Sequence, residues 1–245
     1  MNSTAAILII GDEILSGRTQ DTNTNYIARQ LSALGIDLKE VRVVGDVEAE
    51  IVAALNALRA RYDFVFTTGG IGPTHDDITA DSIAKAFGVG IGYHPEAYAM
   101  LEARYGKEKF NEARKRMARV PDGGALVKNA VSAAPGFRLG NVFVMAGVPS
   151  VMRAMMEEIA VALPRGTPVT SVTVSARAPE GDIAAGLEAV QKNFPSVAIG
   201  SYPFHDAQGF GAQLVARGRD ANEVEQTVRA IEAMLAQLGA ASTRV

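Results

Sequence analysis

The run Thr67-Thr68-Gly69-Gly70-Ile71-Gly72-Pro73-Thr74-His75-Asp76-Asp77 limits the fold more than any other stretch of the chain. Before it lies Phe64-Val65-Phe66, apolar and β-prone. After it, Ile78 to Phe87 reads as a helix closed by Gly88. The run is therefore a strand-to-helix turn carrying three glycines and ending in three polar, metal-capable side chains. Glycine permits positive φ and lets a ligand approach the backbone closely. Successive N–H groups in such a turn form an anion-binding concavity, and a helix start adds partial positive charge. The turn suits a phosphate-bearing small molecule, with carboxylates close enough to hold a metal.

The flanking chain repeats the same order. Ala5 to Ile10 is a continuous apolar run, the signature of a strand buried on both faces of a parallel sheet. Gly11 to Gly17 breaks it into a loop. Ile27, Leu31 and Leu34 have helical spacing, Gly35 stops that helix, and Asp21 or Thr22 is its cap. Leu38 to Val44 is a second strand ending at Gly45-Asp46, and Ile51, Leu55 and Leu58 mark a second helix. Val142 to Met145 is another buried strand. Ala146 to Ser150 turns it into the helix Val151–Val161, whose start offers N–H groups to an anion. Strand, helix and strand in repetition predict an α/β fold with a mostly parallel sheet and right-handed crossovers.

Leu163 to Pro168 holds two prolines and a glycine and reads as a linker, dividing the chain into domains 1–166 and 167–245. Beyond it, Val169 to Ala178 alternates as a strand and Ile183 to Phe194 reads as a helix. Val197 to Phe204 and Phe210 to Arg217 read as strands around a His205–Gly209 turn. Asn222 to Leu238 closes as a helix capped by Asp220. The order β-α-β-β-α predicts a small α+β domain. Within the first domain, before Val142, Lys107 to Arg119 reads as a charged helix, and the run Glu102 to Arg119 as a solvated face.

Composition removes several function classes. No cysteine is present, so there is no disulfide, thiol nucleophile or cysteine metal ligand. A net charge of −3 gives no footprint for nucleic acid. No apolar run reaches the ~20 residues of a membrane span, and Met1-Asn2-Ser3-Thr4 lacks the basic start of a signal peptide. A soluble, cytoplasmic protein is expected, with no membrane or nucleic-acid partner.

The motifs narrow the chemistry. No Gly-Lys-Ser/Thr follows the glycine turn and no Gly-x-Gly-x-x-Gly is present, so neither common nucleotide loop applies. In open α/β sheets ligands bind at the carboxyl ends of the strands. Asp12 and Glu13 follow strand one, Asp46 ends strand two, and Asp77 closes the glycine turn, all on that edge. Any two of these carboxylates can hold a hard divalent cation shared with substrate phosphates. Asp12 and Asp46 read equally well as caps or solvated loop residues. His75 reads as ligand, base or turn residue. His94, before Pro95, is structural. No nucleophile elbow surrounds Ser16, leaving it at most a phosphate-contacting hydroxyl. Tyr202-Pro203-Phe204 reads as core or interface rather than a base-stacking platform.

Together, Gly11–Gly17, Asp21-Thr22-Asn23, Val44-Gly45-Asp46 and Thr67–Thr79 resemble the molybdopterin-binding domain family, and within it the N-terminal part of the competence/damage-inducible protein A family. Gly200-Ser201-Tyr202-Pro203 also looks like that branch. One departure is Met145-Ala146-Gly147-Val148-Pro149, where the family shows Leu-Pro-Gly-Val-Pro. Longer relatives carry a further nicotinamide-mononucleotide deamidase domain; that activity is not expected here. The resemblance implies a three-layer α/β/α domain with its site at the carboxyl edge. It implies binding of molybdopterin or its adenylylated form, or metal-dependent hydrolysis of ADP-ribose or FAD. The dinucleotide pyrophosphatase is the leading expectation. A pterin-binding or adenylyl-transferring protein of molybdenum cofactor synthesis, or a non-catalytic nucleotide-binding module, is the alternative.

On the leading expectation Asp46 and Asp77 hold Mg²⁺, Mn²⁺ or Co²⁺ with help from Asp12 or Glu13, and His75 or Asp76 is the base. Gly11, Asp12, Glu13, Ser16, Asn23, Thr68, Gly69, Gly70, Gly72 and Gly147 contact the ligand. A homo-oligomer, dimer or trimer, is expected, with Tyr202-Pro203-Phe204 available for subunit pairing.

Overall fold

In the computed structural model, which describes residues 2–207 and 209–245, strand β1 (Thr4–Ile10) feeds two hydrophobic cores with alternate side chains. Ala5, Ile7 and Ile9 enter one core with Ile27 and Leu31 of α2 (Asn23–Ala33) and Met152, Met155 and Ile159 of α7 (Pro149–Ala162). Ala6, Leu8 and Ile10 enter the other with Ile51, Leu55 and Leu58 of α3 (Glu48–Arg61) and Ile83 of α4 (Thr79–Phe87). A strand flanked by helices on both faces has no polar side, which is why its sequence is continuously apolar. The result is the three-layer α/β/α arrangement.

The central sheet runs β2-β1-β3-β8-β7-β6. Its parallel part is β2 (Asp37–Val44), β1, β3 (Phe64–Thr68) and β8 (Val142–Met145). Phe66 of β3 is fully buried and stacks on Phe143 of β8 at 5.2 Å between centroids, burial worth about 2–3 kcal/mol for one such ring. Register fixes the site: Ile10 pairs with Val44, Ile9 with Thr68, and Thr68 with Met145. The residues that follow these four strands therefore emerge side by side on one edge.

Between α4 and β8 the structure is more broken than the sequence predicts. It holds β4 (Ile91–Tyr93), α5 (Pro95–Tyr105), α6 (Glu112–Arg116), β5 (Arg119–Pro121), β6 (Ala125–Val127) and β7 (Gly136–Leu139). The predicted 107–119 helix shrinks to α6, because Gly106 closes α5 at φ 74° and Asn111 starts a new cap by accepting from Arg114 N. β6, β7 and β8 pair antiparallel and make the sheet mixed. The predicted Gly11–Gly17 loop contains a short helix, α1 (Asp12–Leu15).

The first unit spans Met1–Gly166 and the second Thr167–Val245. The second has an antiparallel sheet, β10-β11-β9-β12. Its strands are β9 (Thr170–Ala176), β10 (Ala198–Asp206), β11 (Gly209–Gly218) and β12 (Ser242–Arg244); its helices are α8 (Glu180–Asn193) and α9 (Ala221–Gln237). β12 adds a strand to the expected β-α-β-β-α order, pairing with β9. His205 and Asp206 belong to β10 rather than to a turn, and Gln208 of the expected turn lies outside the described residues. Asp220 caps α9 by accepting from Asn222 N and Glu223 N. Tyr202 is exposed on β10, not core, and Arg177 lies over the Phe204 ring. Among the described residues no helix is long and apolar enough to cross a membrane.

Candidate functional site

The glycine turn is held by its own backbone. Gly69 N donates to Met145 O at 3.2 Å, Thr79 N donates to Gly70 O at 3.0 Å, and the buried Thr79 hydroxyl donates to Gly69 O at 2.9 Å. Gly69 and Gly70 take φ of 111° and 65°, values that L side chains rarely adopt. A Cβ on Gly69 would strike the Ile10 carbonyl, and one on Gly147 would lie 3.3 Å from Gly69 Cα. The ends of β1, β3 and β8 thus meet closely at glycine. The N–H groups of Gly70, Ile71 and Gly72 have no acceptor among the described residues. They border a hollow that Asp77 and Arg116 also line.

On the other side of the turn is a second hollow, lined by Glu13, Asn23, Thr68, Gly69 and Gly147 among others. Asp21 places Asn23 by accepting from Asn23 N and Thr24 N at the start of α2. Asn23 is only 8% exposed. Its Nδ2 donates to Thr68 Oγ1 at 2.9 Å and to Gly147 O at 2.8 Å, while Thr68 Oγ1 donates to Ala146 O. A carbonyl only accepts, so the amide orientation is fixed. Asn23 Oδ1 is left buried with no partner among the described residues. Both hollows are narrow, about 20 and 60 Å³, room for one or a few water-sized groups and not for a ring system.

The carboxylates form a third cluster. Gly11 N donates to Val44 O, joining the ends of β1 and β2. Asp12 N donates to Asp46 Oδ2 at 3.0 Å and Asp46 N to Asp12 Oδ1 at 3.3 Å. Burial pushes the Asp46 carboxyl above its ordinary range, and the charges of Asp12, Glu13 and Asp76 push it further, against a backbone hydrogen bond from Asp12. Asp46→Asn removes that charge and keeps the acceptor, so it is expected to stabilise the first unit near neutral pH. The raised folded value means that ionisation is what costs stability. The gain is therefore full above Asp46's folded pKa and fades as pH falls towards its unfolded value. Solvent screening keeps it below about 1 kcal/mol. Thermal melts of both proteins across pH check this; a gain that grows as pH falls refutes it.

The expected metal set of Asp46, Asp77 and Glu13 is not gathered. The Asp77 carboxylate accepts from Thr74 N at 2.8 Å and from the Thr74 hydroxyl, and Glu13 lies against Gly11. Among the described residues no group of three or more His, Asp or Glu is placed to hold a metal. Asp12 and Asp46 remain as a pair, which suits Mg²⁺ when ligand phosphates and water complete its shell. The His75 side chain is 99% exposed, with Asp76 Oδ1 3.9 Å away. Ser16, at the end of α1, lines neither hollow. Sequence reasoning missed Thr79 and Arg116. Thr79 sits at a predicted helix start next to a glycine turn, which was a usable signal; Arg116 had none.

Residues 6–165 match the family described as "Probable molybdopterin binding domain", and residues 168–243 match "FAD synthase, middle domain". A protein from Archaeoglobus fulgidus is 35% identical over 94% of this chain and 96% of its own length. A CinA-like protein from Syntrophotalea carbinolica is 39% identical over 64% of this chain and 40% of its own. The crystal structure of CinA from Thermoplasma acidophilum, described as of unknown function, is 32% identical. It aligns with a TM-score of 0.63 over 66% of this chain and 98% of that one.

Proposed function

The chain belongs to the molybdopterin-binding domain family, and from that premise we propose that its first unit binds a phosphate-bearing pterin or nucleotide across the glycine turn. The three free N–H groups of Gly70, Ile71 and Gly72 carry this reading. Free, successive N–H groups at a left-handed glycine form an anion site. The ligand lies over the open edge, because neither hollow admits a ring. Its phosphate meets the N–H groups. Asn23 Oδ1, on the other side, takes an N–H or O–H donor, which pterin amides and ribose hydroxyls both supply.

A thermal-shift screen with ADP-ribose, FAD and a pterin phosphate tests it, because a ligand for the native state alone raises the midpoint by mass action. At least one is expected to raise it while its dephosphorylated counterpart does not. Equal shifts with and without phosphate, or none, defeat the reading.

Metal-dependent hydrolysis of a dinucleotide is the second reading, favoured by the Asp12–Asp46 pair. These carboxylates repel a nearby diphosphate unless a divalent cation lies between them. When bound, such a cation supplies charge neutralisation. Asp12 and Asp46 would hold it and Asp76, within electrostatic range of Asp46, would add negative charge. Release of AMP from ADP-ribose or FAD with Mg²⁺, Mn²⁺ or Co²⁺ separates this reading from binding alone.

A further inference from the structure

Between Arg114 and Arg119, Arg116 is the one cation with neither an ion pair nor an aromatic ring beside it among the described residues. Arg114 lies over the Tyr105 ring and donates to Lys109 O. Lys115 pairs with Glu112 at 2.6 Å. Arg119 grips Asp81 with both terminal nitrogens, at 2.9 and 2.6 Å. Arg116 makes a single hydrogen bond, Nη2 to the Asp77 carbonyl at a long 3.2 Å. Its Nε is buried without a partner. The nearest acid on the turn, Asp77, is already satisfied by the Thr74 N–H and hydroxyl.

A buried N–H of a charged group costs its full desolvation when unpaired. Such a group marks an absent partner rather than a structural tie. The side chain lines the same hollow as the free N–H groups of Gly70, Ile71 and Gly72. Arg119, which also lines the hollow, is taken by Asp81, so the donors left without an acceptor there are Arg116 Nε and the amides of Gly70, Ile71 and Gly72. The hollow holds only water-sized groups. A planar guanidinium beside free amides matches the oxygens of a phosphate.

We propose that Arg116 is a phosphate-binding residue, closing over an anionic oxygen that the Gly70–Gly72 amides hold from the other side. This rests on the reading of the glycine turn as a phosphate site. It gives the α6 segment a function: to carry a cation onto a turn whose free donors are backbone amides. It also makes the site selective for a fully charged phosphate or diphosphate over a neutral oxygen ligand, since a guanidinium gains most from a charged acceptor.

The test is a titration of the full chain with inorganic pyrophosphate, followed by ¹H–¹⁵N NMR at backbone amides and arginine Nε–H groups. The Arg116 Nε signal is identified by its loss in Arg116→Lys. The expected result is a saturable shift of that signal together with the Gly70, Ile71 and Gly72 amides. Arg116→Gln should weaken binding at least about tenfold, and Arg116→Lys less, with both variants' melting midpoints recording that they fold. If the glycine amides shift while Arg116 Nε stays still and Arg116→Gln binds equally well, the Arg116 assignment is wrong and the turn remains a phosphate site. If no amide of the turn moves in the wild-type protein, the phosphate reading itself fails and takes Arg116 with it.

Discussion

Gly69→Ala is expected to destabilise the first unit by about 3 kcal/mol or more, through two additive causes. Gly69 sits at φ 111°, where an L side chain is strained. The added methyl would also strike the Ile10 carbonyl, which is backbone inside β1 and cannot swing aside. Ile10 is itself 1% exposed and paired with Val44, so moving it disturbs the sheet centre. Gly88→Ala is the control. Gly88 has φ 67° at the end of α4, but a Cβ there meets nothing within 4 Å. It should lose only the backbone contribution, about 1–2 kcal/mol. Denaturant melts of the two variants separate the terms. A Gly69→Ala no less stable than Gly88→Ala would mean that β1 and the glycine turn do not approach as described. Ligand binding should fall in the Gly69 variant even where it remains folded, since the Gly70 N–H follows directly.

What the sequence allowed one to read depended on whether the determining contact was local or repeated. Ala5–Ile10 and Val142–Met145 were legible as strands because burial on both faces leaves no polar position to confuse the pattern. The shared edge was legible too. Parallel register carries Gly11, Asp46, Gly69 and Gly147 to one side whatever the exact pairing. The aim of individual side chains was not legible. Asp77 could have faced Asp46 as well as Thr74; Thr74's own N–H and hydroxyl three residues away capture it, a local competition with no apolar signature. Arg116 stood in a run of similar cations, and only its tertiary approach to the Asp77 carbonyl distinguishes it. β12 is three residues, Ser242–Arg244, too short for alternation to register; the open edge of β9 decides it.

Asn23→Asp is expected to be the most damaging isosteric change at the site, and its cost should depend on pH in a way that Asn23→Ala does not. In the wild type Nδ2 faces the Gly147 carbonyl at 2.8 Å and the Thr68 hydroxyl at 2.9 Å. Alanine leaves the Gly147 carbonyl unpaired and the Thr68 hydroxyl with only its bond to Ala146 O, a loss of about 1–3 kcal/mol that carries no charge. Aspartate puts an oxygen where the nitrogen was. The Thr68 hydroxyl can turn to it only by releasing Ala146 O. Gly147 O cannot donate at all, so a carboxylate at this 8%-exposed position faces a carbonyl with its charge unmatched. An uncompensated buried charge costs about 3–5 kcal/mol, or on the order of 10 °C in the midpoint of a unit this size. Protonation relieves it, because a carboxylic acid can donate to Gly147 O. The folded pKa of the introduced group is therefore raised above its unfolded value, about 3.9. The penalty is full above that folded pKa and shrinks as pH falls through it. Melts of the two variants, each referred to wild type at the same pH, should cross: Asn23→Asp is the less stable near neutrality and the more stable in acid. A constant difference across pH would mean that the amide nitrogen of Asn23 does not face Gly147. The buried Oδ1 would then not be the acceptor that the ligand's donor end requires.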